Sequence, residues 1–245
     1  TFTNISGATS ATLTSGQMCS LTATSYYRAV ITSGVCSLSN SNTVTITVDP
    51  TSVGGSVAGG TTICNGSKSG LLTLSGNTGA VVKWQSSVAP FSSWTDINHT
   101  ASTYTSGALT QTTQFRAVVQ SGVCPMANSD STTVTVDPTS VGGTAAANQT
   151  ICSGSTPSAL NLTGQTGNIQ WQSSTDNITF TNISGATSAT LTSGQMGSLT
   201  ATRYYRAVVT SGVCGSSNSN TVTITVDTTS VGGTAAANQT ICSGS

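Results

Sequence analysis

The 245-residue sequence predicts an all-β protein, on the evidence of its composition, its strand patterning and its internal repetition. Thr, Val and Ile, which favour strands, dominate the chain, whereas strong helix formers are scarce. A charged fraction of 5% is also typical of disordered linkers. Hydrophobic residues nevertheless make up 36% of the chain and recur at regular positions, so we expect ordered cores.

Charge and hydropathy exclude two classes of partner. Six Lys and Arg balance six acidic residues, so the sequence carries no basic footprint for nucleic acid. No apolar run approaches the length that a membrane-spanning helix needs. The chain opens in the middle of a repeat, so we expect any targeting segment to lie outside it.

Internal repetition defines the organisation. The sequence of residues 1–67 recurs almost unchanged as residues 179–245. A shorter period, of about 88 to 90 residues, is marked by Ser-Val-Gly-Gly at Ser52, Ser140 and Ser230. Such a period is too long for a solenoid repeat and suits one sandwich domain of about 100 residues.

Four segments follow from this period: residues 1–50 as the C-terminal part of a repeat, 51–138 and 139–228 as complete repeats, and 229–245 as the start of a further one. The boundaries fall just after Asp49, Asp137 and Asp227. Because the joining segments are short, we expect the repeats to form an elongated rod.

Alternating patterns place about seven short strands in each repeat. Each repeat ends with a strand in which Thr alternates with Val or Ile, as in residues 221–226. An earlier strand reads Tyr/Phe-Arg-Ala-Val, where the aromatic residue and Ala should face the core and Arg the solvent. Trp84 and Trp171 occupy the mid-repeat strand and are the predicted core anchors. Short strands with this turn spacing favour immunoglobulin-like β-sandwiches of about 88–90 residues.

The order of these motifs resembles a known family. Trp171-Gln172-Ser173-Ser174 is followed by the Tyr-Tyr-Arg-Ala-Val-Val strand of residues 204–209, by Ser211-Gly212-Val213-Cys214 and by the closing strand 221–226. The string resembles the Ig-like repeats of very large bacterial cell-surface adhesins, many of them exported by the type IX secretion system. The resemblance covers the whole chain and implies a secreted or cell-surface stalk without identifying a ligand.

Six of the seven cysteines keep the period of the repeat. One lies in each Ile-Cys pair and one in each Gly-Val-Cys triplet, and pairing within a repeat predicts the disulfides Cys64–Cys124 and Cys152–Cys214. Cys36 and Cys242 would then pair outside the fragment. Each Gly-Val-Cys cysteine also precedes the next Ile-Cys cysteine by a constant interval, which leaves a bridge across the repeat junction open. Free thiols are the third alternative.

The seventh cysteine, Cys19, stands where the later repeat has Gly197. An intermolecular bridge and a chance substitution are the two interpretations, and the second is favoured.

Catalytic and metal chemistry find little support. The sole histidine, His99, lies near Asp96, but the matching stretch of the other complete repeat has neither residue. No cofactor or metal is expected, because no CxxC occurs and the junction aspartates stand alone. Trp94 could stack on a sugar, although its alignment near Phe180 favours a shared packing position. The family resemblance also suggests O-glycosylation after Asp, at Ser131 and Thr228.

We therefore expect a non-catalytic, extracellular protein of the cell surface. Its predicted role is the structural repeat region of a stalk or filament that spaces or assembles an adhesin, with a ligand- or glycan-binding adhesive module as the alternative. Expected partners are neighbouring repeats, identical chains in a filament and surface glycans. Low surface charge favours such assembly, because like-charge repulsion is nearly absent.

Overall fold

The computed structural model describes residues 1–244, which fall into two compact units. Unit 1 comprises Thr1–Thr61 and Lys68–Thr135, and unit 2 comprises Thr62–Ser67 together with the residues from Val136 onward. Strands dominate both units. No helix among the described residues has the length and apolar character needed to cross a membrane.

The regular elements are short, as the dense turn signals predict. In chain order they are α1 (Ser15–Met18), β1 (Ser25–Tyr27), β2 (Val30–Ile31), β3 (Ser39–Asn40), β4 (Val44–Ile46), β5 (Ser56–Ala58), β6 (Thr62–Cys64), β7 (Leu72–Ser75), β8 (Ala80–Val88), β9 (Thr95–Ile97), β10 (Thr103–Tyr104), β11 (Thr113–Gln120), β12 (Ala127–Asn128), β13 (Thr132–Asp137), β14 (Thr144–Ala145), β15 (Gln149–Cys152), β16 (Leu160–Thr163), β17 (Asn168–Ser174), β18 (Thr181–Asn182), β19 (Thr190–Leu191), α2 (Ser193–Met196), β20 (Arg203–Thr210), β21 (Ser217–Asn218) and β22 (Val222–Asp227).

Unit 1 contains a sandwich of two sheets. Strands β10, β7 and β5 form one sheet, and β13, β11, β8 and β9 form the other, with β12 beside β11. The long pair β8 and β11 is antiparallel and sets Trp84 opposite Ala117. Trp84, Tyr104 and Phe115 form an aromatic cluster in the core, with ring centroids 5.5 Å and 5.8 Å apart in successive pairs.

Unit 2 repeats this architecture. Strands β14, β16 and β19 form one sheet, and β15, β22, β20, β17 and β18 form the other, with β21 beside β20. The core between them contains Leu160, Trp171, Leu191, Tyr205 and Ile224. The predicted fold class, all-β with tandem immunoglobulin-like sandwiches, is confirmed. Nine short strands, β14 to β22, build this sandwich where the sequence predicted about seven.

The predicted inward faces agree with burial. Trp84 and Trp171 are fully buried. In the Tyr/Phe-Arg-Ala-Val strand the aromatic residue and Ala are buried in both complete repeats, while Arg is only partly covered. Alternation along the strand therefore located the core correctly in residues 51–228.

Residues 1–50 expose part of the same pattern. Val44 is 56% exposed, whereas its counterpart Val222 is fully buried in the core of unit 2. The difference follows from sequence: residues 1–50 correspond to 179–228. Strands β16 and β17, whose residues share the core cluster with Val222, lie before residue 179 and so outside the segment that residues 1–50 match.

Candidate functional site at the repeat junctions

Three aspartates mark equivalent positions along the chain, and we call Asp49, Asp137 and Asp227 the junction aspartates. Asp137 ends β13 and Asp227 ends β22, each the last strand of a sequence repeat. Asp49 follows β4 at the corresponding point of residues 1–50. Half of the six acidic residues of the chain thus stand at junctions.

A tight Gly-Val-Cys turn contacts the junction aspartate from one side. In unit 1 the Val123 N–H donates to Asp49 Oδ2 over 3.0 Å, and Cys124 Sγ lies 3.6 Å from the Asp49 carbonyl oxygen. In unit 2 the Val213 N–H donates to Asp137 Oδ2 over 2.9 Å, and Cys214 Sγ lies 3.7 Å from the Asp137 carbonyl oxygen.

The glycine of this turn is required by both conformation and space. Gly212 has φ +48°, a region that side chains other than glycine rarely adopt. A Cβ at that position would overlap the Asp137 carboxylate. Gly122 has the same relation to Asp49, so the turn and the carboxylate fit each other in both units.

An Ile-Cys strand contacts the junction aspartate from the other side. Strand β15 runs parallel to β22 and sets Cys152 beside Asp227, and the Ser153 N–H donates to the Asp227 carbonyl oxygen over 2.9 Å. Likewise, the Asn65 N–H, next to Cys64, donates to the Asp137 carbonyl oxygen over 2.9 Å.

At Asp137 the two elements meet, and their cysteines form a disulfide. Cys64 Sγ and Cys214 Sγ are bonded at 2.02 Å, with the two Cα atoms 4.9 Å apart. That separation lies within the ordinary range for disulfides. Both cysteines belong to unit 2, yet in sequence they stand 150 residues apart in successive repeats.

This bridge corrects the predicted pairings, because Cys64–Cys124 and Cys152–Cys214 do not form. In unit 2, Cys152 lies beside Asp227, at the end of β22. Cys214 lies near the other end of the sheet, in the turn between Val209 of β20 and its pairing partner Ser217 of β21. The two cysteines of one repeat are therefore separated by about ten residues of strand, roughly 30 Å. Cys36, Cys124 and Cys152 are free thiols, so the alternative bridge Cys124–Cys152 is also absent.

A second recurring group lies on the outer face of the sheets. In unit 1 the Arg116 guanidinium lies 4.0 Å above the Trp94 ring and donates through Nε to Gln85 Oε1 over 2.8 Å. In unit 2 Arg206 lies 4.0 Å above the Phe180 ring and donates to Gln172 Oε1 over 2.9 Å. Trp94 thus occupies the shared packing position that its alignment with Phe180 suggested.

Asp96 and His99 are engaged separately and form no triad. The Asp96 carboxylate accepts from Lys83 Nζ and Gln85 Nε2, each over 2.7 Å, and both interactions hold its pKa below the usual value, the Gln85 bond most strongly. His99 Nε2 lies 2.7 Å from the Thr103 carbonyl oxygen. In residues 1–244 no three His, Cys, Asp or Glu side chains cluster as metal ligands would.

The acidic group with the largest pKa change is Asp176, in the turn after β17. Its Oδ1 accepts from the Ile178 N–H over 2.9 Å, from Ser174 Oγ over 2.7 Å and from the Thr179 N–H over 2.8 Å. These donors stabilise the carboxylate and lower the pKa of Asp176 from 3.8 to about 2, the Ile178 bond contributing most.

We expect the folded Asp176 carboxyl to titrate near pH 2 in a carbonyl-detected NMR experiment. Because the folded pKa is depressed, its contribution to stability is complete above about pH 4 and is lost as the pH falls through about 2. Asp176→Asn should remove this contribution and flatten the dependence of unfolding free energy on pH between 4 and 2. An unshifted Asp176 titration near pH 4 would contradict the three-donor geometry.

Three further predicted positions lie on the surface. Ser131 and Thr228 are exposed, and their O-glycosylation stays a prediction. Cys19 is an exposed free thiol with φ 56°, at the place where Gly197 has φ +66°. Cys19 therefore adopts a backbone conformation that favours glycine. This agrees with a chance replacement of glycine by cysteine better than with a site for an intermolecular bridge.

Comparison with known proteins places these features in a family and beside several tandem-domain structures. The family model described as Domain of unknown function (DUF8696) matches residues 1–50, 53–138 and 141–228. No curated protein matches the sequence.

Similar solved structures include three immunoglobulin domains of a titin variant, at 13% identity and a TM-score of 0.49, covering 88% of this chain and 76% of that one. Extracellular domains 3–5 of Drosophila OTK share 14% identity, with a TM-score of 0.32 over 73% of this chain and 65% of that one. Three fibronectin-type domains of chicken CNTN1 share 12% identity, with a TM-score of 0.33 over 82% of this chain and 74% of that one.

Proposed function

The chain belongs to the family described as Domain of unknown function (DUF8696), and we propose that it is a structural repeat region of an extracellular surface stalk or filament, which spaces or assembles an adhesin. The observation that carries this proposal is the Cys64–Cys214 bridge at Asp137, because it ties one repeat to the next. The resemblance of the motifs to bacterial adhesin repeats supports the same role. A non-catalytic role, and division into repeats at residues 51–138 and 139–228, are part of the proposal.

The Cys64–Cys214 disulfide supports an extracellular location. Structural disulfides persist in oxidising compartments and are rare in the cytosol. The bridge lies at the Gly-Val-Cys turn, whose Val213 N–H donates to the Asp137 carboxylate. Metal-binding and redox-active cysteines typically form CxxC motifs, and this turn contains a single cysteine. A structural bridge in a secreted protein is the simplest explanation.

The adhesive alternative depended on Trp94 as a sugar platform. Arg116 covers one face of that ring at 4.0 Å, and the same stack recurs at Phe180. A packing role explains Trp94 in one repeat and Phe180 in the other, so the structural role is favoured over ligand binding.

The proposed location is tested on intact cells of the source organism. Antibodies raised against residues 51–228 should label unpermeabilised cells, and brief external proteolysis should remove that label. A cytosolic protein serves as the control for lysis. Labelling that needs permeabilisation, with protection from external protease, would contradict an extracellular stalk.

Tension along the chain should reveal the bridge directly. Cys64 and Cys214 are separated by 150 residues, which would span roughly 500 Å when fully extended. In single-molecule pulling from both ends, the oxidised chain should therefore extend by about 500 Å less than Cys64→Ser after complete unfolding. Cys36→Ser is the matched control and should leave the oxidised length unchanged, because Cys36 is a free thiol. Equal lengths for the parent chain and Cys64→Ser would rule out a bridge that limits extension.

A further inference from the structure

The three junction aspartates differ in which of the two elements, the Ile-Cys strand and the Gly-Val-Cys turn, contact them. Asp137 receives both elements, the Ile-Cys strand with Cys64 and the Gly-Val-Cys turn with Cys214. Among residues 1–244, Asp49 receives only the turn with Cys124, and Asp227 receives only the strand with Cys152. The contacts that do exist match those at Asp137: the turn bonds the carboxylate over 3.0 Å, and the strand bonds the carbonyl over 2.9 Å.

We propose that the Asp49–Cys124 and Asp227–Cys152 groups are complementary halves of one recurring bridging site, each of which takes its missing half from another repeat of the same family. The Asp227 group accepts a Gly-Val-Cys turn, and the Asp49 group accepts an Ile-Cys strand. The Cys64–Cys214 bridge is then one rung of a ladder in which each Ile-Cys cysteine bonds the Gly-Val-Cys cysteine 150 residues later. This inference rests on the proposed function and names the partner of the junction site.

The thiols and the backbone around them are already in place for such a rung. Cys152 is exposed at the end of β15, beside Asp227, as Cys64 is beside Asp137. Cys124 is half-buried, and its Sγ lies 3.6 Å from the Asp49 carbonyl oxygen. The Sγ of the bridged Cys214 lies at a similar distance, 3.7 Å, from the Asp137 carbonyl oxygen. The free and the bridged cysteines therefore share the same contacts with a junction aspartate.

The geometry within a repeat leaves no other partner. In unit 2, Cys152 lies beside Asp227 at the end of β22, whereas the Gly-Val-Cys turn follows the far end of the neighbouring strand β20, roughly 30 Å away. A disulfide needs Cα atoms within about 7 Å. A cysteine of the strand can thus be reached only by the turn that contacts the same aspartate, and that turn belongs to the following repeat.

Formation of each rung is an oxidation that balances by thiol–disulfide exchange. A thiolate of one cysteine attacks the disulfide of a dithiol–disulfide oxidant, and the second cysteine then displaces the oxidant from the mixed disulfide. The two protein thiols lose two electrons and two protons in total. The oxidant takes them up and leaves as its dithiol.

The test uses a chain in which both half-sites are completed by the protein's own sequence. Residues 1–67 correspond to residues 179–245. The repeats therefore continue in phase when a copy of residues 139–178 is placed before Thr1 and a copy of residues 68–138 is placed after Ser245. The first copy puts a Cys152 equivalent upstream of Cys124, and the second puts a Cys124 equivalent downstream of Cys152. Both new pairs then have the sequence separation of Cys64 and Cys214.

Non-reducing peptide mapping of this completed chain should recover Cys64–Cys214 and two new bridges, each between a Cys152-type and a Cys124-type cysteine. Cys124→Ser is the matched control and should free the thiol of the upstream Cys152 equivalent alone. A bridge between two cysteines of one repeat, or failure of both new bridges in the folded, oxidised chain, would overturn the proposal.

A second measurement covers the case in which the completed chain does not fold. In the 245-residue chain, Cys124→Ser and Cys152→Ser should each lower the number of alkylatable thiols by one. A number that rises by one, because a partner thiol is released, would mean that the cysteine is already bonded within the chain and would overturn the proposal. These maps do not depend on where the protein resides, so a failed ladder and a failed surface location are distinguishable.

Discussion

Replacing Trp171 with alanine is expected to lower the free energy of unfolding of the second sandwich by about 3–5 kcal/mol, as for other large core truncations. Trp171 is fully buried in the cluster that includes Leu160, Leu191 and Tyr205. Its Nε1 also donates to the Ser188 carbonyl oxygen over 2.9 Å. Alanine removes the ring and leaves that carbonyl without its donor.

Two controls separate the contributions. Trp171→Phe keeps an aromatic ring but removes the donor, so its cost should be clearly smaller than that of alanine. Phe180→Ala removes a partly exposed ring that stacks on Arg206 and should cost about 1 kcal/mol. Chemical denaturation followed by NMR of resonances from residues 139–228 measures all three. A loss below about 1 kcal/mol for Trp171→Ala would place the tryptophan outside the core.

Gly212→Ala is the second large perturbation, with an expected loss of about 2–4 kcal/mol. An alanine at φ +48° is strained, and its Cβ displaces the Asp137 carboxylate from the Val213 N–H. The turn that carries Cys214 should shift, so we also expect less Cys64–Cys214 bridge after refolding under oxidising conditions.

The chain offers graded controls for this substitution. Gly185 has φ +71° with no atom within 4 Å of a Cβ, so Gly185→Ala reports conformational strain alone. Gly215 has equal space without a positive φ and should tolerate alanine. Denaturant midpoints and the amount of bridged peptide should change in the order Gly215, Gly185, Gly212. Equal effects at Gly185 and Gly212 would show that the Asp137 carboxylate is not held by the turn.

Much of the fold was predictable because the relevant signals are local. Alternation of Thr with Val or Ile identified the last strand, and Val134 and Val222 are indeed fully buried. The mid-repeat tryptophans were recognisable as core anchors for the same reason. Alignment of the repeats also predicts that Trp94 and Phe180 share one packing position, which the equivalent Arg stacks confirm.

The disulfide partner was not predictable, because it depends on a pairing between distant strands. The spacing of the cysteines permits a partner in the same repeat or across a junction, and the pairing within a repeat is preferred because each domain is then self-sufficient. The Ile-Cys strand instead runs parallel to the last strand of its repeat and ends beside the next junction aspartate. Parallel pairing carries the cysteine to the far end of the sandwich, and composition or periodicity does not encode that direction.

In sequence, the Ser-Val-Gly-Gly motif indicates the period of the repeat but not its structural role. Its serine is structural: Ser52 Oγ accepts from the Ser121 N–H over 2.9 Å, and Ser140 Oγ accepts from the Ser211 N–H over 2.8 Å. Each bond anchors the residue that precedes a Gly-Val-Cys turn. The similar spacing between Ser-Val-Gly-Gly and Gly-Val-Cys in the two complete repeats is compatible with such a contact. The hydrogen bond itself forms only when folding brings the two motifs together.

The most direct measurement is a non-reducing peptide map of the folded 245-residue chain after alkylation of its free thiols. We expect one cross-linked pair of peptides containing Cys64 and Cys214, with Cys36, Cys124 and Cys152 recovered in alkylated form. Recovery of Cys64 bonded to Cys124, or of Cys152 bonded to Cys214, would contradict the bridge between successive repeats.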